Sequence, residues 1–154
     1  MIRLANVEDA DELARLRLEF SRELGQADGG DLRAYRLQYR AWLAAALATG
    51  RWHVWVADAG DRLVGKVYLQ VVDVVPRPWD PPKRRWGYVT TFYVDPVVRN
   101  AGVGTRLMAE LTALARSLGL ELLQVWPSER SAPLYRRLGF APSPDALELP
   151  IHKG

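Results

Sequence analysis

The 154-residue chain contains no cysteine. Disulfides, thiolate nucleophiles and cysteine-based zinc sites are therefore excluded, and the absence fits a reducing compartment. No apolar run approaches the roughly 18 residues of a membrane span. The opening MIRLANVEDADELARL carries acids where a secretory signal needs an apolar core. The expectation is a soluble, cytoplasmic protein with no membrane partner. A sustained charge of one sign is missing too, since the net charge is only +3. Arg77, Lys83, Arg84 and Arg85 are basic neighbours, but residues 1–31 set eight acids against four arginines. Nucleic-acid binding usually needs a longer basic face, so none is expected.

What is present is a globular mixture, 49% hydrophobic and 25% charged. At about 150 residues one domain can bury roughly two-thirds of its unfolded surface without a staple, so residues 1–154 are read as a single domain. Residues 2–4 suit a short strand, and Asn6 with Asp9 suits a capping box. Ala10, Leu13, Leu16, Phe20 and Leu24 recur at helical spacing. A second helix is expected from Asp31, with Leu32, Tyr35, Tyr39, Trp42, Leu43 and Ala46 on one face and Gly50 as its stop. The period then falls to two, giving strands near 52–57, 63–75 and 86–94, with a proline-rich loop at 76–82. A helix over 105–118, a strand over 122–126, a helix over 132–138 and a strand over 147–151 complete the chain. The fold class is thus mixed α/β (α+β), a centrally antiparallel sheet flanked by helices, in the order β-α-α-β-β-β-α-β-α-β.

The richest stretch runs from Tyr88 to Leu107. A strand ends at Val94, a loop reads Arg99-Asn100-Ala101-Gly102-Val103-Gly104, and a helix opens at Thr105. Helix starts carry amides without partners and a positive dipole end, which suits phosphate. Glycines let backbone approach an anion, and Arg99 and Arg106 can add charge-assisted hydrogen bonds. Thr105-Arg106 replaces the Lys-Ser/Thr of a P-loop, and Leu107 replaces the third glycine of a dinucleotide fingerprint.

A second motif follows: Ser128-Glu-Arg-Ser-Ala-Pro-Leu134-Tyr135-Arg-Arg-Leu-Gly139-Phe140. With Val94-Asp-Pro96 and the glycine loop, in this order and spacing, the chain resembles the GNAT acyltransferases. The resemblance implies an N-acetyltransferase that takes acetyl-CoA as co-substrate, with no metal, and transfers acetyl to a small-molecule or protein amine by direct attack in a ternary complex. It implies that the strands at 86–94 and 122–126 splay around the pantetheine arm, contacted by backbone at Phe92, Tyr93 and Val94. Residues Arg99 to Thr105 would cradle the pyrophosphate, Ser128 would lie near the arm, and Tyr135 would protonate the leaving thiolate. Some members are dimers, so a homodimer is allowed.

Two positions depart from the family pattern. Ser128 stands where asparagine is usual, and the strand Tyr88–Val94 has no carboxylate to serve as general base. Asp73 is the carboxylate offered as a direct or water-mediated base, while His53 on an alternating strand reads as a solvated or hydrogen-bonded residue. For the acceptor, Glu19, Glu23, Asp28 and Asp31 with Trp79 and Trp86 suggest a cationic amine held against aromatic surface: polyamine-like, aminoglycoside-like or lysine-like. The alternative reading is a non-catalytic acyl-CoA-binding regulator.

Overall fold

The computed structural model describes residues 1–26, 30–79 and 84–151. Asp28 and Lys83 lie outside the described residues. Strand β1 (Ile2–Leu4) leads through a 3-10 turn at Val7–Asp9 into helix α1 (Ala10–Glu23). The capping box is formed: the Asn6 side chain accepts from the Glu8 amide at 2.9 Å, and Asp9 accepts from the Asn6 amide at 2.9 Å. Asp31 caps α2 (Leu32–Ala48) by accepting from the Arg33 and Ala34 amides. Strands β2 (Trp52–Asp58), β3 (Leu63–Asp73) and β4 (Arg85–Val94) follow, then α3 (Val103–Ser117), β5 (Leu123–Gln124) and α4 (Ala132–Arg137).

The five strands form one sheet in sequence order. Pairing is antiparallel from β1 to β4, and β5 joins β4 in parallel. Because strand side chains alternate, β3 is covered on both faces. Leu13, Leu16 and Leu43 of α1 and α2 pack with Val54, Val56, Tyr68 and Tyr93 on one face. Leu107, Met108 and Leu111 of α3 pack with Val67, Leu69 and Val89 on the other. Each such leucine, fully buried, contributes about 1.5–3 kcal/mol.

The mixed sheet, its antiparallel centre and the helices on both faces are as the sequence led one to expect. The strand expected over 147–151 is absent. Leu147, Leu149 and Ile151 are 97%, 81% and 78% exposed, so the alternating pattern has no surface to face, and Pro150 offers no ladder donor. The order therefore ends at α4. The strand expected over 122–126 shortens to two residues for a related reason: β4 and β5 diverge after one short ladder.

Candidate active site

The ladder between β4 and β5 comprises Gly87 opposite Leu123 and Tyr88 opposite Gln124. Beyond Tyr88, β4 continues to Val94 with β3 along one edge and, among the described residues, no strand along the other. The sheet therefore forks, and backbone groups on the open edge of β4 face a gap. The Tyr88 and Trp126 rings, 4.9 Å apart between centroids, stand at its base. A bulge lies on the other edge, where Lys66 pairs with Tyr93 but Tyr68 pairs with Thr90. At this bulge Thr91 takes a φ of 49°, a costly conformation for a β-branched residue and one that collects at functional sites.

At the mouth of the fork the chain turns through Asp95. Its side chain accepts from the Val97 amide at 2.9 Å and from Arg62 at 2.9 Å. Asn100 (φ 64°) and Gly102 (φ 80°) are both left-handed, which brings the loop round to start α3. The first helical bond runs from the Arg106 amide to the Gly102 carbonyl, so the amides of residues 103–105 have no acceptor within the helix. A Cβ on Gly104 would stand 3.0 Å from the Phe92 ring, so a side chain here would press on that ring and narrow the approach.

The fork and the loop enclose a cleft of about 370 Å³. Among the residues expected to hold the co-substrate, Phe92, Tyr93, Val94, Arg99, Asn100, Gly102, Val103, Gly104 and Thr105 line it. Ala101, Ser128 and Tyr135 do not. Ser128 instead builds the turn before α4, accepting from the Ser131 amide and meeting its hydroxyl at 3.0 Å. The cleft also takes in Phe20, Glu23, Arg130 and Arg137, of which only Glu23 was singled out from sequence. The two arginines flank the Leu134-Tyr135 motif, and that clustering of cations beside a motif was their only signal.

Tyr135 is 5% exposed, its ring 5.9 Å from Phe92 and 5.4 Å from Phe140. It lines a second hollow of about 700 Å³ between residues 122–127 and 140–146, so it forms the wall behind Phe92. Burial, reinforced by Tyr88, pushes its hydroxyl up to about 12. It stays protonated throughout the neutral range.

The acidic groups are engaged by arginines. Glu19 is bound to Arg15 at 2.7 Å. Glu23 accepts Arg99 at 2.6 and 2.7 Å and Arg130 at 2.6 Å, and the Arg99 bonds hold its carboxyl below the usual range. Arg99 also donates to the Val94 carbonyl at 2.9 Å. Trp79 is 77% exposed, with Arg77 over its ring, and Trp86 lies on β4 opposite Val72. Asp73 pairs with Arg51 at 2.6 Å and stands opposite Arg85. That is about 25 Å along the sheet from Tyr93 at the usual strand rise. Glu23 and the glycine loop thus share one cleft, Tyr135 stands behind Phe92 in the second hollow, and Glu19, Asp73, Trp79 and Trp86 do not line the cleft.

Comparison with known proteins agrees with this geometry. Residues 12–140 match the model of the acetyltransferase (GNAT) family. A GCN5-related N-acetyltransferase from Ralstonia eutropha JMP134 is 30% identical, with 98% of this chain and 97% of that one aligned at a TM-score of 0.76. A predicted acetyltransferase of Clostridium acetobutylicum, solved with acetyl-CoA, is 21% identical at a TM-score of 0.82, covering 98% and 96%. A glucosamine 6-phosphate N-acetyltransferase of Trypanosoma brucei brucei is 34% identical over 79 residues, 51% of each chain. The chain thus spans about half the length of that curated relative. The forked sheet, the glycine loop and the match over most of the sequence lead to one conclusion: the chain belongs to the GNAT family of acetyl-CoA-dependent acetyltransferases.

Proposed function

We propose that this acetyltransferase moves the acetyl group of acetyl-CoA onto a primary amine by direct attack in a ternary complex. The observation that carries this reading is the fork beside the glycine loop. An open β4 edge suits the amide-bearing pantetheine arm, which can bond to backbone as a strand would. The free amides of residues 103–105 and the positive start of α3 suit its pyrophosphate, and Arg130 and Arg137 add positive charge. The residues present fit the co-substrate.

In this mechanism a β4 backbone amide near Val94 polarises the thioester carbonyl and stabilises the oxyanion that attack creates. Tyr135 gives its proton to the departing sulfur, a role that its high pKa preserves across the working range. Phe92 and Tyr135 exclude water from the reacting carbonyl. The acceptor reaches it from the side of α1 and α2, past Phe20 and Tyr93, whose rings are 5.4 Å apart. Tyr35, Tyr39, Trp42, Trp52 and Tyr68 form a continuous run of ring contacts on that side. A cationic small molecule or lysine-like amine is favoured by these aromatic faces, rather than by Glu19 and Glu23, whose charge is already matched.

The test is CoA release from acetyl-CoA across a panel of amines, read with a thiol-reactive dye. The protein has no cysteine and adds no background. Release that depends on one amine class supports the reading. Acetyl-CoA binding with no release for any amine would sink it in favour of a binding protein.

A further inference from the structure

Lys66 lies in the middle of β3 and is 0% exposed. Among the described residues its Nζ has no hydrogen-bond partner. Its cross-strand partner is Tyr93, which lines the cleft, and its ammonium site stands 5.1 Å from the centre of the Tyr68 ring. Alternation along β3 puts Lys66 and Tyr68 on the face covered by α1 and α2. The bulge is immediately adjacent, and there the buried Thr91 Oγ1 also lacks a partner. Two unsatisfied buried polar groups on one strained bulge need an explanation, since such groups are costly unless a ligand completes them.

The carboxylates nearby are poor alternatives. Glu12 is bound to Arg15 and to the Leu63 amide, Glu19 to Arg15, Glu23 to Arg99 and Arg130, and Asp95 to Arg62. β4 itself carries none. We propose that Lys66 is the general base of the transfer, its Nζ taking the proton of the incoming ammonium at the β3–β4 bulge.

This inference rests on the amine-acetylation reading above. The acceptor arrives as an ammonium, and neutral Lys66 takes one proton and frees the lone pair. The C–N bond forms at the thioester carbonyl carbon and the C–S bond breaks. Tyr135 protonates the sulfur and is restored by the second proton lost from nitrogen. Lys66 returns its proton to water, so one proton is released per turnover. The groups facing Lys66 suit this cycle: Arg17 from α1, Tyr68 on β3 with its hydroxyl bonded to that of Tyr39 on α2, and Tyr93 on β4. Burial, with Arg17, lowers the Lys66 amine to about 7, where free amine and ammonium interconvert near neutrality.

The chain has only three lysines, Lys66, Lys83 and Lys153, so 13C-lysine labelling gives a countable set of signals. One signal is expected to titrate near neutrality and to vanish in Lys66→Met. The kcat/KM profile should rise with the same midpoint for two acceptors of different amine pKa. Lys66→Met and Lys66→Arg should each lower kcat by about 10²-fold or more with the acetyl-CoA KM unchanged, because arginine keeps the charge but cannot release its proton. Lys66 titrating near 10, an unaltered pH profile in either variant, or acetylation of Lys66 itself by acetyl-CoA would overturn the proposal. Wild-type protein that binds acetyl-CoA but turns over no amine overturns the transfer reading and the base with it. Turnover that survives Lys66→Arg overturns the base alone.

Discussion

Glu23, at the last turn of α1, grips Arg99 through both carboxylate oxygens, at 2.6 and 2.7 Å. Because Arg130 reaches the same carboxylate at 2.6 Å, one acid ties α1 to the loop before α3 and to the segment before α4.

In the proposed complex with acetyl-CoA, that triad would place the carboxylate in competition with phosphate for two arginines. Glu23→Gln is expected to tighten acetyl-CoA binding by about 5- to 10-fold, close to 1 kcal/mol. Titration calorimetry at low and high salt checks this, and the gain should shrink as salt rises. The same acid carries a stability signature. Its folded pKa is lowered, so its contribution is present above the ordinary glutamate pKa and is lost as pH falls below about 4. Denaturant midpoints taken between pH 6 and 3 should fall less steeply in the variant.

Tyr135→Phe keeps the ring contacts with Phe92 and Phe140 and removes only the hydroxyl. A loss of about 10²-fold in kcat with an unchanged melting temperature is expected. Because burial sets the wild-type hydroxyl at about 12, Tyr135 should impose no alkaline fall in rate up to pH 10. A profile that drops near pH 9 would assign the acid elsewhere.

Gly104→Ala places a methyl 3.0 Å from the Phe92 ring while suiting the helix it sits in. Stability should change by less than about 1 kcal/mol. The acetyl-CoA KM should rise at least about 10-fold, since the ring or the backbone must give way where we propose that the co-substrate passes. Thermal unfolding and initial rates on one preparation separate the two effects.

Asp73→Asn removes an ion pair that is more than half exposed, at the far end of β3. Exposed pairs contribute about 0–1 kcal/mol, so stability should change by less than about 1 kcal/mol and kcat should stay within about twofold of wild type. A loss beyond tenfold would restore Asp73 to the chemistry and displace Lys66.

Lys66 also predicts a stability change of the same sign as Glu23, rising with pH, but in a higher pH window. Its folded pKa, about 7, lies below the ordinary lysine value of 10.5. Between these values the unfolded chain binds the extra proton, so stability should climb as pH rises from 7 toward 9.5. Urea unfolding should show that climb in wild type and a flat line in Lys66→Met.

The glycine loop and the Leu134-Tyr135 motif could be read from sequence because both depend on local chemistry: a left-handed turn at Gly102, a helix start, a fixed spacing. Strand and helix faces were readable from periodicity, though Leu24 and Leu32 proved 44% and 43% exposed because the segments they begin and end leave the core. The strand at 147–151 misled because alternation marks a strand only where a partner edge exists. Lys66 escaped notice for the converse reason. A lysine on an alternating strand ordinarily reaches solvent, and only the packing of α1 and α2 over that face buries it. Nor could sequence show Glu23 occupied by arginines 76 and 107 positions further on.

The two-pair ladder between β4 and β5 has a consequence for how the molecule is held together. Where another strand would lie, the protein leaves an unfinished seam, and the portion carrying β5 and α4 hangs on few backbone bonds. A ligand threading that seam acts as a removable rung of the sheet. Association and tertiary closure then become one event, and saturating acetyl-CoA at 100 times its Kd should add about 2.7 kcal/mol of stability. Amide exchange should slow first along residues 89–94 and 123–137, before any acceptor is supplied.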